Sequence, residues 1–454
     1  MKTNETPGKK GKDRRNFLQA GSMALLGLAM PNGAAAAPRA ATPRATESLA
    51  LLGGGKTVTF PDDKFKALTS WPRYGQKEKD ALHRLIDTNK FYEELPLFEK
   101  EWQEYTGIPH LRAHINGSSA ITSMLFAIDL EPGSEIMVPS YDFPTDVLAM
   151  RFFSYVPIFV DIDPATGCFD LEDAKRKFTS RTRAVFPMHS WGLPCEMDHI
   201  RSFAKEKDLI VLEDAAHSHG ASMQGKKTGT LGDLAIFSFQ ASKPMPTVEG
   251  GMGMYHNRLH YERATAFGEY TAPEKFPADS PVHKYAGTGF GQKYRMHPFA
   301  AAVGRLQLRN LDAHNALMKK NVHRQNAPLV QLAGLSEPRC RPDQERVYYN
   351  ANMLLLDPEK AGFSRDALVK ALKAEGVGVT TWVYPEQHKL AIYAEEKWWH
   401  HPITIPTSMP GNDYINSNHI FLPLFYGEAD DVIDQYVKAF QKVWAHRSQL
   451  VSSL

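Results

Sequence analysis

Cysteine is scarce: the chain of 454 residues has three, Cys168, Cys195 and Cys340, with no CxxC spacing. An odd and sparse count excludes a disulfide-built scaffold and a cysteine-ligated zinc fold, so stability must come from a buried core. An excess of charge of one sign is lacking as well, since 53 Lys and Arg against 51 Asp and Glu leave a formal net charge of +2. That balance argues against a nucleic-acid or membrane-surface protein, which needs a large one-signed field. No GxGxxG follows a strand candidate, no GxxxxGK[ST] occurs, and the 18 histidines form no HExxH. A nicotinamide site, the common nucleotide phosphate loop and a metal hydrolase are therefore disfavoured, and no metal is expected.

What charge there is falls unevenly. Residues 1–36 carry Lys2, Lys9, Lys10, Lys12, Arg14 and Arg15 against Glu5 and Asp13 alone, and the rest of the chain has 47 basic and 49 acidic residues. Arg14-Arg15-Asn16-Phe17-Leu18 is a twin arginine followed by apolar residues, Ala20 to Met30 is uncharged and weakly apolar, and Ala34 to Ala37 offers a small-residue cleavage site. Basic head, short apolar run and small-residue exit in that order describe a twin-arginine export signal, cleaved near residue 36, with a periplasmic or extracellular mature protein. The apolar run is shorter than the ~20 residues that span a bilayer, so no membrane span is expected. Residues 37–50 read as a flexible Pro/Ala/Thr-rich linker.

From Leu51 onward, apolar strand candidates at Ile136–Val138, Ile158–Val160, Ala184–Phe186, Leu209–Leu212 and Ala235–Phe239 alternate with helix patterns at 120–129, 145–153, 171–178 and 197–207. Strands that are apolar throughout, alternating with amphipathic helices, predict a mostly parallel sheet covered on both faces. In such sheets ligands sit beyond the carboxyl ends of the strands. Those exits supply an acid, a lysine, hydroxyls and an aromatic. Asn116-Gly117-Ser118-Ser119 opens a helix, where backbone N–H groups favour a phosphate or a serine simply caps. Glu213-Asp214 ends an apolar strand, either as a site acid or as a helix cap. Lys243 stands among small and apolar residues, the setting in which desolvation favours the free amine needed for imine formation. A lysine, an acid and a phosphate cradle together suggest pyridoxal phosphate chemistry.

At this point a resemblance becomes specific. Asn116 to Ala120 (NGSSA), Pro139 to Phe143 (PSYDF), Val160 to Asp170 (VDIDPATGCFD), Leu212 to Ala221 (LEDAAHSHGA) and Gly232 to Gly251 (GDLAIFSFQASKPMPTVEGG) are similar, in order, to the motifs of the DegT/DnrJ/StrS sugar aminotransferases. GQKYRM (291–296), YPEQHKLAIY (384–393) and FLPL (421–424) continue the match over about residues 50–445. The resemblance implies an α/β, type I pyridoxal-phosphate fold: a large domain (51–310) with a mixed, mostly parallel sheet and a smaller C-terminal α+β domain (311–454). It also implies a homodimer with active sites at the subunit interface.

By the same resemblance Lys243 is the lysine that joins pyridoxal 5'-phosphate covalently and Asp214 pairs with its pyridine nitrogen. Phe143 stacks on one ring face and Ala216 lies under the other. Gly117, Ser118, Ser119 and Ser238 hold the phosphate, and His217 stands beside the ring hydroxyl. Lys293 occupies a position from which relatives reach the neighbouring subunit's phosphate; a surface role is open too. His189, Tyr384 and His388 are substrate-side candidates or packing residues. The implied reaction moves an amino group from glutamate or glutamine to a keto sugar or keto cyclitol, the scyllo-inosose type preferred by analogy. The alternatives are a dehydrating, aromatising lyase similar to 3-amino-5-hydroxybenzoate synthase, suggested by His217, and a non-catalytic sensor, against which the joint presence of Lys243, Asp214 and Ser238 argues.

Overall fold

The computed structural model describes residues 47–382 and 384–452. The export signal and most of the linker read from the sequence lie outside them. The globular part begins slightly before Leu51, because Leu49 is fully buried and Ala50–Leu52 is a short 3-10 helix.

Seven strands form the main sheet: β1 (His110–His114), β2 (Glu135–Pro139), β3 (Val156–Val160), β4 (Thr182–Val185), β5 (Ile210–Asp214), β6 (Leu234–Ser238) and β7 (Gly251–Tyr255). Their order is β1-β7-β6-β5-β4-β2-β3, with only β7 antiparallel to its neighbours. Successive strand residues face opposite sides of a sheet. On one side Ile136, Val138, Leu212 and Ile236 pack with Ile121 and Met124 of helix α1 (Gly117–Ala127). On the other Met137, Val185 and Val211 pack with Met197, Ile200 and Phe203, and the last three belong to a helix, Met197–Lys207. Covering both faces is what makes these strands continuously apolar.

The strands and helices read from the pattern lie within a few residues of those observed. The stretch 145–153 differs in kind, being a one-turn helix α2 (Pro144–Leu148) continued by a 3-10 helix Ala149–Phe153. The pattern did not show β1 or β7. Strand β7 reads Gly-Met-Gly-Met-Tyr, and glycine suppresses strand propensity where close packing forbids a side chain.

A second, three-stranded antiparallel sheet joins β8 (Leu335–Ser336), β9 (Asn352–Leu356) and β10 (His419–Leu422). Leu354, Leu356, Ile420 and Leu422 share a core with Leu368, Leu372, Ile433 and Phe440. The last four come from two helices, α4 (Arg365–Ala374) and α5 (Asp430–Ala445), while α3 (Pro298–Leu329) runs unbroken through residue 310. The N-terminal strap docks here too. Glu375 accepts hydrogen bonds from Ala50 N (2.7 Å), Thr57 N (3.1 Å) and Thr57 Oγ1 (2.6 Å), and pairs with Lys442 at 3.0 Å. All three cysteines are free, and no helix among the described residues is long and apolar enough to cross a membrane.

Candidate active site

Asp214 closes β5 and Ser238 closes β6, two neighbouring parallel strands, so their side chains arrive at the same rim of the sheet. Helix α1 starts at that rim, and its start is jammed against the sheet. A Cβ on Gly117 would stand 2.9 Å from Ser238 Cβ, and one on Gly251 would stand 2.4 Å from the Asn116 carbonyl oxygen. Only glycine permits this approach, which brings the N–H groups of the α1 terminus to the Ser238 hydroxyl. Ser118 Oγ lies 3.3 Å from Thr145 Oγ1.

The rim opens into a cavity of about 510 Å³ whose walls include Ser118, Phe143, Asp214, Ser238, Lys243 and Tyr349. Gly117, Ala216, His217 and Tyr384 line the same cavity. Nine of the predicted residues thus share one space, with Tyr349 beside them. Phe143 leaves 47 % of its surface exposed in this chain, an apolar face available for a flat ring.

Four predicted residues are elsewhere. Ser119 is buried, and its hydroxyl donates to the Asn116 carbonyl at 2.8 Å while its N–H donates to Asn116 Oδ1 at 2.9 Å. It caps the helix and has no donor left for a phosphate. His189 is fully buried: Cys195 N donates to its Nδ1 (2.9 Å), so the proton sits on Nε2, which donates to Glu213 Oε1 (2.7 Å). His388 packs edge-on to Phe159 at 6.5 Å, off the cavity wall. Lys293 is exposed, with its backbone bridged to Glu269.

Lys243 Nζ sits 4.4 Å from the centre of the Tyr349 ring and 3.4 Å from its hydroxyl. The loop carrying it is held by Trp71 Nε1, which donates to the Lys243 carbonyl at 3.1 Å, and by Ser242 Oγ, 3.1 Å from Tyr349 Oη. The opposite face of this corner is His217, stacked on Tyr349 at 4.0 Å and 22°, with Nε2 3.2 Å from Tyr384 Oη. Burial, reinforced by the charge of Lys243, pushes His217 well below the ordinary histidine range. Both effects favour the neutral imidazole.

Tyr349 was not among the predicted residues, nor was Asp146. Tyr349 is 106 positions from Lys243 and follows no large-sheet strand, so strand exits could not point to it. Asp146 had a signal: it stands three residues beyond the strand exit Pro139 to Phe143, in the first turn of the helix that follows. Glu213, next to Asp214, is held differently. His189 Nε2, Gly229 N, Leu231 N (2.9 Å) and Gly232 N (2.9 Å) all donate to it. Burial pushes it up, but the hydrogen bond from His189 and those from the backbone N–H groups outweigh that and hold it below the usual carboxylate range.

Comparison with known proteins agrees with this geometry. Residues 72–441 match the model of the DegT/DnrJ/EryC1/StrS aminotransferase family. The GDP-perosamine synthase of Caulobacter vibrioides is 32% identical over 67% of this chain and 81% of its own. A Streptoalloteichus tenebrarius protein, whose name proposes it as an L-glutamine:3-amino-2,3-dideoxy-scyllo-inosose aminotransferase, is 28% identical over 88% of this chain and 98% of its own. Among solved structures, 3-amino-5-hydroxybenzoic acid synthase is 26% identical with a TM-score of 0.69, covering 83% of this chain and 98% of that one.

The chain belongs to the DegT/DnrJ/EryC1/StrS family of pyridoxal-phosphate-dependent aminotransferases. The residues present fit that cofactor: a helix start with two hydroxyls for the phosphate, an apolar face for the ring, a carboxylate below and a lysine amine beside it.

Proposed function

We propose that the enzyme moves an amino group from glutamate or glutamine to a keto sugar or keto cyclitol, with a keto-inositol of the scyllo-inosose type as the preferred acceptor. The observation that carries the reading is the convergence of Lys243, Asp214 and the α1 terminus on one cavity. The near full-length likeness to the S. tenebrarius protein supports the cyclitol class.

Bound pyridoxal phosphate supplies the electron sink for bonds at the carbon bearing the substrate's amino group. The residues do the rest. Ser118, Ser238 and the N–H groups at Gly117 bind the phosphate. Asp214 would pair with the ring nitrogen, and Phe143 and Ala216 would bound the ring. His217, as a neutral donor or acceptor, meets the ring hydroxyl. Lys243 Nζ would hold and return the proton moved at the substrate carbon, and Tyr349, 3.4 Å away, keeps that Nζ in place. Tyr384, bonded to His217, forms the substrate-side wall.

A lyase reaction like that of 3-amino-5-hydroxybenzoate synthase is the second reading, supported by the structural likeness and by His217. The test is direct. Borohydride should fix the cofactor to Lys243, and glutamate or glutamine alone should convert the bound cofactor to its amine form. A cofactor-loaded enzyme that every common amino donor leaves unchanged overturns the aminotransferase reading and favours the lyase.

The reading extends to organisation. Division near residue 310, a homodimer, contact of Lys293 with the partner's phosphate and twin-arginine export are part of it. Exposed Phe143 and Trp382 at the cavity support a dimer that covers them. Light scattering showing a monomer with bound cofactor would remove that support, and a reporter fused to residues 1–45 that stays in the cytoplasm would remove the export reading.

A further inference from the structure

Asp146 lines the cavity and is 0 % exposed, yet neither of its carboxyl oxygens has a hydrogen-bond donor. Asp142 is equally buried; its Oδ1 accepts from Phe143 N at 2.6 Å, while its Oδ2 has no partner. Oxygens of Asp142, Asp146 and Asp214 all lie within 4.8 Å of one another. The other ionisable groups facing this trio are Lys243, from the loop after β6, and the hydroxyls of Tyr384 and Tyr393; none bonds Asp146. Carboxylates this close and this dry cannot all be charged, and the proton that must stay needs an acceptor beside it.

We propose that Asp146 is a protonated carboxylic acid that donates its hydrogen bond to Asp214, fixing and tempering the carboxylate that faces the cofactor's ring nitrogen. It is a positioning residue, acting through Asp214 without touching substrate. The inference rests on the assignment of Asp214 to that nitrogen. Titration points the same way: burial first, then the charges of Asp142 and Asp214, push Asp146 well above the carboxylate range. Burial and Asp214 push Asp142 up as well, but Asp142 has a backbone donor and is the better carrier of any charge left over. The bond has a chemical purpose. Asp214 Oδ1 already accepts from Ala216 N at 2.7 Å, and a second, neutral donor from Asp146 adds a further fixed point and sets the strength of the pair with the ring nitrogen.

The experiment uses the full-length enzyme with its cofactor. Infrared spectra at neutral pH should show the carbonyl stretch of a protonated carboxylic acid, which disappears in Asp146→Asn. With ¹⁵N-labelled pyridoxal phosphate, Asp146→Asn, which keeps a neutral N–H donor, should hold the ring-nitrogen resonance near its wild-type position. Asp146→Leu, which has no donor, should shift that resonance and lower kcat by roughly tenfold to a hundredfold, the equivalent of one charge-assisted hydrogen bond. Raising the pH should move the wild-type resonance through a transition that Asp146→Asn lacks and that Asp142→Asn brings to lower pH. Absence of the acid band, its persistence in Asp146→Asn, identical spectra for Asn and Leu, or a stoichiometric divalent cation co-purifying with the wild type but not with Asp146→Asn overturns the proposal. Failure of amino donors leaves the infrared result intact and strikes only the aminotransferase reading, while an Asp214→Asn variant with an unmoved nitrogen resonance strikes the Asp214 assignment.

Discussion

Glu213 and Asp146 are both 0 % exposed, and they flank Asp214, one as its chain neighbour and one in the same buried cluster. Glu213 collects an imidazole and three backbone N–H groups and is held ionised; Asp146 collects nothing and is driven toward its acid form. Equal burial produces opposite charge states, because donors rather than depth decide whether a carboxylate can stay ionised. The satisfied acid braces the architecture. The unsatisfied one sits where chemistry happens.

The contrast is broken most forcefully at its structural end. Glu213→Leu leaves the His189 Nε2–H and three buried N–H groups without an acceptor, and should cost about 3–5 kcal/mol in the urea unfolding free energy at pH 7. A loss under about 1 kcal/mol would mean that the brace is ornamental. Its folded pKa is lowered, so the stability Glu213 supplies is present above the unfolded carboxylate range and is lost as pH falls through its own lower value.

At the other end, Asp146 has a raised pKa, and the sign reverses. The stability that Asp146 contributes is fully present below the unfolded carboxylate range and is lost as pH rises through its folded value. Asp146→Asn removes this loss. It should be more stable than wild type at pH 8, with the gap closing below the unfolded carboxylate range. Equal pH–stability curves for the two proteins would refute the contrast.

The smallest effect sharpens the picture between the two acids. Tyr349→Phe removes the hydroxyl near Lys243 and Ser242 but keeps the ring under Nζ and His217. The expected fall in kcat is under about tenfold, the scale of one neutral hydrogen bond. Tyr349→Ala, which also removes the ring, should fall further, and a Phe variant as impaired as Ala would show that the hydroxyl and not the stacked ring positions the lysine.

Much of this site is legible in sequence because doubly covered parallel strands are short apolar runs, and the polar residues that end them sit by construction at the ligand rim. Asp214, Ser238 and Lys243 are readable that way, and the motif order adds Phe143 and the start of α1. Tyr349 is not readable, since it arrives from the segment before β9. Ser119 and His189 show a different failure. Their residue types suit a site, but the serine hydroxyl goes to a helix cap and the histidine to Glu213, and which partner a polar group finds is a tertiary fact. Strand β7 escaped because its glycines serve close packing against Asn116 and carry no strand signal.

The N-terminal strap has a further consequence, in the order of synthesis. Ala50 bonds a carboxylate 325 positions later, and the Gly55 carbonyl accepts from Lys442 across 387 positions. The first of the described residues to leave the ribosome are thus clasped by nearly the last. A product that stops before α5 has no Lys442 and no wall of Ile433, Tyr436 and Phe440 for Leu49. It would display apolar residues where the finished chain has a seam, which is the kind of surface that proteases and chaperones sort by.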